Sequence, residues 1–171
     1  LSKLPGTIVF IRHAIAVDAE EHPGPDGDRP LTRQGIKKAT KAFRTLVKHY
    51  RPTRIITSPY LRAVSTAELL AEAVARLEDG PVPALEQTDA LLPGASWEAW
   101  SGLFQTIQPP FGPDDTICVI GHEPSIGTFF CRHLGFKEAI PFKKAGIGII
   151  APKSLTGATL IAFAPAKFLR G

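Results

Sequence analysis

The chain reads as an α/β protein with a mostly parallel open sheet. Three observations predict it: short apolar runs rich in branched residues, longer segments with a helical apolar period, and regular alternation between the two. With 171 residues, 44% of them hydrophobic, the chain can bury one good core, and a single domain over residues 1–171 is expected.

The first strand is 7–11 (TIVFI). The segment 18–30 (DAEEHPGPDGDRP) is dense in Pro, Gly and acidic residues and reads as a surface loop. The segment 33–50 sets Ile36, Ala39, Phe43, Leu46, Val47 and Tyr50 on one face and its lysines mostly elsewhere. That is an amphipathic helix, capped by Thr32 and stopped near Pro52. A second strand, 54–57 (RIIT), leads into a helix over 59–77, where Ser58 and Pro59 fit the N-cap and first position. Residues 78–95 read as another loop, and 96–107 as a helix in which Trp97 and Trp100 pack. A strand at 116–120 (TICVI), a helix at 124–134 and strands at 146–151 and 158–163 complete the pattern. Both loops are candidates to shape an entrance, with Asp18 and Asp28 as possible gating charges, although plain solvated connections have the same composition.

Composition narrows the function classes. A net charge of +4 suits an acidic or phosphorylated partner, but mild basicity is common, and no nucleic-acid partner is expected. Cys118 and Cys131 lie in apolar surroundings without close pairing, so reduced, packed thiols and a cytoplasmic location are expected. There is no apolar run of about 18 residues, so no membrane partner is expected either. The basic stripe at 37–51 reads as a solvated helix face. "HEPSI" lacks the second histidine of a zinc-hydrolase motif, and there is no nucleophile elbow or P-loop.

The informative feature is where polar clusters fall. Arg12-His13 follows the run IVFI, "SPYLR" (58–62) follows RIIT, and "GHEPS" (121–125) follows ICVI. Arg-His alone is weak evidence, because Arg132-His133 recurs at the end of a helical pattern closed by Gly135. Three clusters at three strand ends say more. In open parallel sheets ligands bind beyond the carboxyl ends of the strands, so neighbouring strands would bring Arg12, His13, Arg62 and His122 together. Guanidinium forks and helix N-termini favour a phosphoryl group. A neutral imidazole can attack phosphorus and carry the phosphoryl group covalently, which makes His13 the candidate nucleophile and His122 the stabiliser of developing charge.

"RHA" at 12–14, "RPLTRQG" at 29–35, "SPYLRAVSTAELL" at 58–70 and "VIGHEPSIG" at 119–127 together resemble the histidine phosphatase superfamily, and within it the compact SixA-type phosphohistidine phosphatases. The resemblance implies a three-layer α/β/α, phosphoglycerate mutase-like domain without large insertions, a phosphohistidine intermediate, and no metal or organic cofactor. It assigns His13 as nucleophile, with Arg12, Arg62 and His122 catalytic and substrate-binding. The implied partner is a phosphorylated protein, such as a phosphohistidine-containing phosphotransfer domain, or a small phosphorylated substrate; a monomer is expected. Two departures stand out. Ala14 replaces the usual glycine, and the general acid is unassigned, with Glu123, Glu86 and Asp89 as candidates. Three activities remain open: a protein phosphohistidine phosphatase, a small-molecule phosphomonoesterase, or a phospho-ligand binding module of low activity.

Overall fold

The computed structural model describes residues 6–77, 81–107, 112 and 114–169. The elements among them are β1 (Thr7–Arg12), α1 (Arg33–His49), β2 (Arg54–Thr57), α2 (Leu61–Ala75), β3 (Leu85–Gln87), α3 (Trp97–Ile107), β4 (Thr116–Gly121), α4 (Ser125–His133), β5 (Ile147–Ser154) and β6 (Gly157–Ala164). They form one sheet of order β3-β2-β4-β1-β5-β6. The β3–β2, β2–β4 and β4–β1 pairings are parallel, whereas β1–β5 and β5–β6 are antiparallel. The expected mostly parallel sheet is present, with an antiparallel edge added.

The uninterrupted run IVFI exists because helices cover both faces of β1. Val9 and Ile11 pack with Phe43, Leu46 and Leu70 of α1 and α2, and Ile8 and Phe10 pack with Trp100, Phe104, Phe129 and Phe130 of α3 and α4. A strand covered on one side only would alternate. Full burial of each of these large side chains contributes roughly 1.5–3 kcal/mol. In the second layer Trp100 stacks on Phe129 at 5.3 Å, and its indole N–H donates to His133 Nε2 at 2.9 Å. The second Arg-His pair is thus structural: His133 is fully buried, and the Arg132 guanidinium lies 5.0 Å from the centre of the Trp97 ring.

Three details differ from the sequence reading. Ile36 of α1 is 42% exposed, because the inward face runs through Gly35, Ala39, Ala42, Phe43, Leu46 and Val47. The second helix begins at Leu61 rather than Pro59, because the Ser58 hydroxyl accepts from the Tyr60 N–H at 3.3 Å and holds the intervening residues in a turn. Residues 85–87, read as loop, form strand β3 beside β2. Three residues with Glu86 and Gln87 exposed at a sheet edge leave no apolar alternation to read. Residues 78–80 of that loop lie outside the described residues.

The start of α1 is anchored to the chain just beyond β1. Thr32 caps it, its Oγ1 accepting from the Gly35 N–H at 3.0 Å, while the Thr32 N–H donates to the Ile15 carbonyl at 2.9 Å. Gly35 packs so closely that a methyl group there would strike that same carbonyl. Gly35→Ala should therefore destabilise the fold by about 1–3 kcal/mol in urea titrations, the usual cost of overpacking. Gly102, exposed on α3 with open space around it, is the control. Gly102→Ala should stabilise by up to about 1 kcal/mol. Equal midpoints for the two variants would contradict this packing.

Candidate active site

Register places the site. β4 lies between β1 and β2, with Arg12 opposite Gly121 and Thr57 opposite Ile120. Just past the strand ends, the His13 N–H donates to the Gly121 carbonyl and the Ser58 N–H to the Ile120 carbonyl, both at 3.0 Å. The chain segments carrying Arg12-His13, Ser58 and His122 are therefore side by side. The His13 and His122 rings lie 5.0 Å apart between centroids, and His13, Arg62 and His122 are each only 3% exposed.

Each side chain is held in a definite way. His13 Nδ1 pairs with the Ala14 carbonyl at 2.7 Å, so Nδ1 carries the proton and Nε2 keeps its lone pair. Ala14 itself is fully buried in the α1/α2 core, and its N–H donates to Thr66 Oγ1 at 3.0 Å. Its methyl group is packed there, so the departure from glycine is accommodated. His122 Nε2 lies 2.9 Å from Ser58 Oγ, and the Tyr60 ring meets the His122 ring edge-on at 5.5 Å. Arg12 Nη1 donates to the Phe142 carbonyl at 2.7 Å. Arg62 Nη1 and Nη2 donate to the Asp26 carbonyl and carboxylate at 2.6 and 3.0 Å, and the same carboxylate takes Arg29 Nε at 2.7 Å. The acidic loop at 18–30 is thus part of the site, through Asp26.

Electrostatics follow from this crowding. Burial, reinforced by Lys144, His122 and Arg62, pushes the His13 pKa down to about 2, and burial with Arg62, Lys144 and Arg12 pushes His122 to about 3. Both imidazoles are neutral at pH 7. Burial alone would raise the Asp26 pKa, but its bonds to Arg62 and Arg29 outweigh that and keep it below its ordinary value.

Of the three candidate acids, none touches either histidine. Glu123 Oε1 accepts from the Phe142 N–H at 2.8 Å, its carboxylate closely fitted against Gly127, and burial raises its pKa. Glu86, on edge strand β3, forms a two-point pair with Arg54 at the start of β2, each bond 2.9 Å. Asp89 opens the short 3-10 turn Asp89–Leu91, and its carboxylate makes no hydrogen bond or ion pair among the described residues. The residue that does reach His13 is Lys144, whose Nζ lies 3.3 Å from His13 Nε2. Sequence reading missed it because it precedes β5. That strand pairs antiparallel with β1, Ile147 opposite Ile11, so its beginning, and not its end, meets the site. Ala145, at φ 54°, donates its N–H to the Arg12 and His13 carbonyls and fixes that junction.

The buried neutral histidines make stability depend on pH. Folded pKa values of about 2, 3 and 4 for His13, His122 and His133 lie below the unfolded value near 6.5. The unfolded chain therefore binds more protons between those values, and stability present above pH 6.5 is lost as pH falls. Urea midpoints should drop steadily from pH 7 to 4.5, and His133→Gln, which can still accept from Trp100, should flatten part of that slope. A midpoint independent of pH would rule out buried neutral imidazoles.

Comparison with known proteins supplies the family. Residues 8–112 match the histidine phosphatase superfamily (branch 1). An uncharacterized protein of Picosynechococcus sp. is 35% identical over 146 residues, 82% of this chain and 81% of that protein. Among solved structures, the protein histidine phosphatase SixA complexed with tungstate superposes with a TM-score of 0.80 at 20% identity, covering 95% of this chain and 99% of that one. A mycobacterial glucosyl-3-phosphoglycerate phosphatase complexed with VO3 gives a TM-score of 0.71 at 17% identity, over 94% and 99%. These structural matches agree with the three-layer fold described above, and by sequence the chain belongs to the histidine phosphatase superfamily, branch 1.

Proposed function

We propose that this chain is a phosphatase that hydrolyses phosphohistidine on a protein through a covalent phosphoryl-His13 intermediate. One observation carries the reading: a lone pair on His13 Nε2, set by the Nδ1 bond to the Ala14 carbonyl, stands among buried donors still lacking partners. Arg12 Nε, Arg62 Nε and His122 Nδ1 are buried with no hydrogen-bond partner among the described residues. When the Ser58 hydroxyl donates to His122 Nε2, Nδ1 holds the ring's proton. Unpaired buried donors are costly, and a phosphoryl group offers oxygens to satisfy them.

In the first step Nε2 attacks phosphorus and the bond from phosphorus to the substrate imidazole breaks. In the second, water attacks phosphorus, the P–Nε2 bond breaks, and inorganic phosphate leaves with His13 neutral again. Arg12, Arg62 and His122 stabilise the charge that spreads over the equatorial oxygens. Two observations support a phosphohistidine substrate. No carboxylate among the candidates is placed to protonate an alkoxide, and imidazole protonated on its far nitrogen departs neutral. A solved structure of a protein histidine phosphatase, SixA, superposes over 95% of this chain. The protein partner would then be a phosphorylated domain presenting its histidine to the cleft.

Rapid alkaline quenching during turnover of a phosphohistidine protein or phosphoramidate should trap acid-labile label on His13, and His13→Ala should trap none. Hydrolysis by the wild type without such label would refute the covalent route. Phosphohistidine should be turned over faster than alkyl phosphate esters; the reverse order would assign a small-molecule phosphomonoesterase instead.

A further inference from the structure

Arg12, His13, Arg62 and His122 share one neighbour. Lys144, on the loop before β5, sets its Nζ 3.3 Å from His13 Nε2, and its charge is felt by both histidines as those of Arg12 and Arg62 are felt by it. The ammonium is half-buried, and no carboxylate among the described residues forms an ion pair with it. Such a cation is costly until an anion arrives. Its place decides which part of that anion it meets. Phosphorus bonds at Nε2, so this nitrogen stands on the attacking side, beside the equatorial oxygens and away from the apical position opposite Nε2. We propose that Lys144 is a further catalytic residue, binding an equatorial phosphoryl oxygen together with Arg12, Arg62 and His122.

This role deepens the phosphoryl-His13 reading and rests on it. In the empty site the ammonium donates to Nε2. When phosphorus takes that lone pair the donor loses its acceptor, and the nearest replacements are the oxygens one bond beyond phosphorus. A bond to a neutral ring is exchanged for a bond to an oxyanion, and pairs charged on both sides are the stronger kind. The two arginines are less free to follow: Arg12 Nη1 is held by the Phe142 carbonyl, and both Nη atoms of Arg62 are held by Asp26. Lysine carries three donors on a flexible four-carbon stem and can track an oxygen as phosphorus passes from the leaving atom to Nε2. No proton moves through it. The substrate P–N bond breaks as P–Nε2 forms and imidazole departs neutral; water then displaces His13, both its protons stay on the phosphate, and H2PO4⁻ leaves.

The test reads anion binding and turnover separately. Burial, then the charges of Arg12, Arg62 and Arg29, lowers the Lys144 pKa to about 8 against the pull of Asp18; neutral His13 and His122 also face it, and Lys38, Lys143 and Lys167 border one cavity with it. Sulfate, a dianion throughout, is titrated calorimetrically from about pH 6.5 to about pH 10 into wild type, Lys144→Gln and Lys144→Arg. At the low end the glutamine variant should bind about 10-fold more weakly than wild type. Wild-type affinity should fall as pH rises through about 8, where the free ammonium loses its proton, and approach that of the glutamine variant; the arginine variant, always charged, should lack this limb. In turnover Lys144→Gln should lose on the order of 10²-fold in kcat/KM, equally with phosphoramidate and with a phosphohistidine protein, because the phosphoryl group is common to both. Wild-type affinity unchanged up to about pH 10, or a loss confined to the protein substrate, would overturn the proposal while leaving phosphoryl-His13 standing. The pH series needs no variant, so a poorly folded glutamine protein does not weaken it. Turnover without label on His13 would instead remove the covalent reading, and with it any part of Lys144 in that step.

Discussion

Strand β4 hydrogen-bonds β1 on one side and β2 on the other, and the whole site depends on that double pairing. Backbone bonds continue one residue past each strand, from His13 to Gly121 and from Ser58 to Ile120. Residues separated by about fifty or a hundred positions in the chain are thereby set side by side by ladder geometry, which tolerates little error, since a slip of one residue turns every side chain to the opposite face. The cores on the two faces enforce the register: Ile8 and Phe10 fill one layer, Val9 and Ile11 the other, and neither set fits in the other's place.

On this frame the protein builds a site that is electrostatically costly without an anion. Arg12, Arg62 and Lys144 are drawn out of water, and burial lowers the pKa of each. Asp26 offsets part of the cost by bridging Arg62 and Arg29, and the carbonyl of Phe142 takes a bond from Arg12. Glu123 completes that arrangement from the other side of the same residue, holding the Phe142 N–H. What is left unsatisfied is a set of N–H groups around a neutral imidazole, and a phosphoryl group supplies both the charge and the acceptors they lack. A family resemblance predicts such residues one at a time. The distances show how they constrain one another.

The antiparallel edge has its own consequence. In a purely parallel sheet only loops that follow strands face the ligand end. Reversing β5 brings a loop that precedes a strand to the same end, and with it Lys144, Ala145 and Gly146. The fold therefore brings a cation to His13 from a direction that motif reading along the parallel strands does not inspect.

Much of this was legible in the residues themselves. The alternation of apolar runs and helical periods carried the α/β class, because burial on both faces of a strand and one face of a helix leaves distinct periods. The clusters ending IVFI, RIIT and ICVI pointed to Arg12, His13, Arg62 and His122, because ligand sites lie at the carboxyl ends of parallel strands. Contacts between distant side chains left no such trace: Asp26 on Arg62, Ser58 on His122 rather than on its own helix, Glu123 on Phe142, and Lys144 on His13. Local sequence encodes period and turn chemistry, whereas which polar atoms meet across 36, 64, 19 or 131 positions depends on strand order and direction, and those are settled only when the sheet closes its layers.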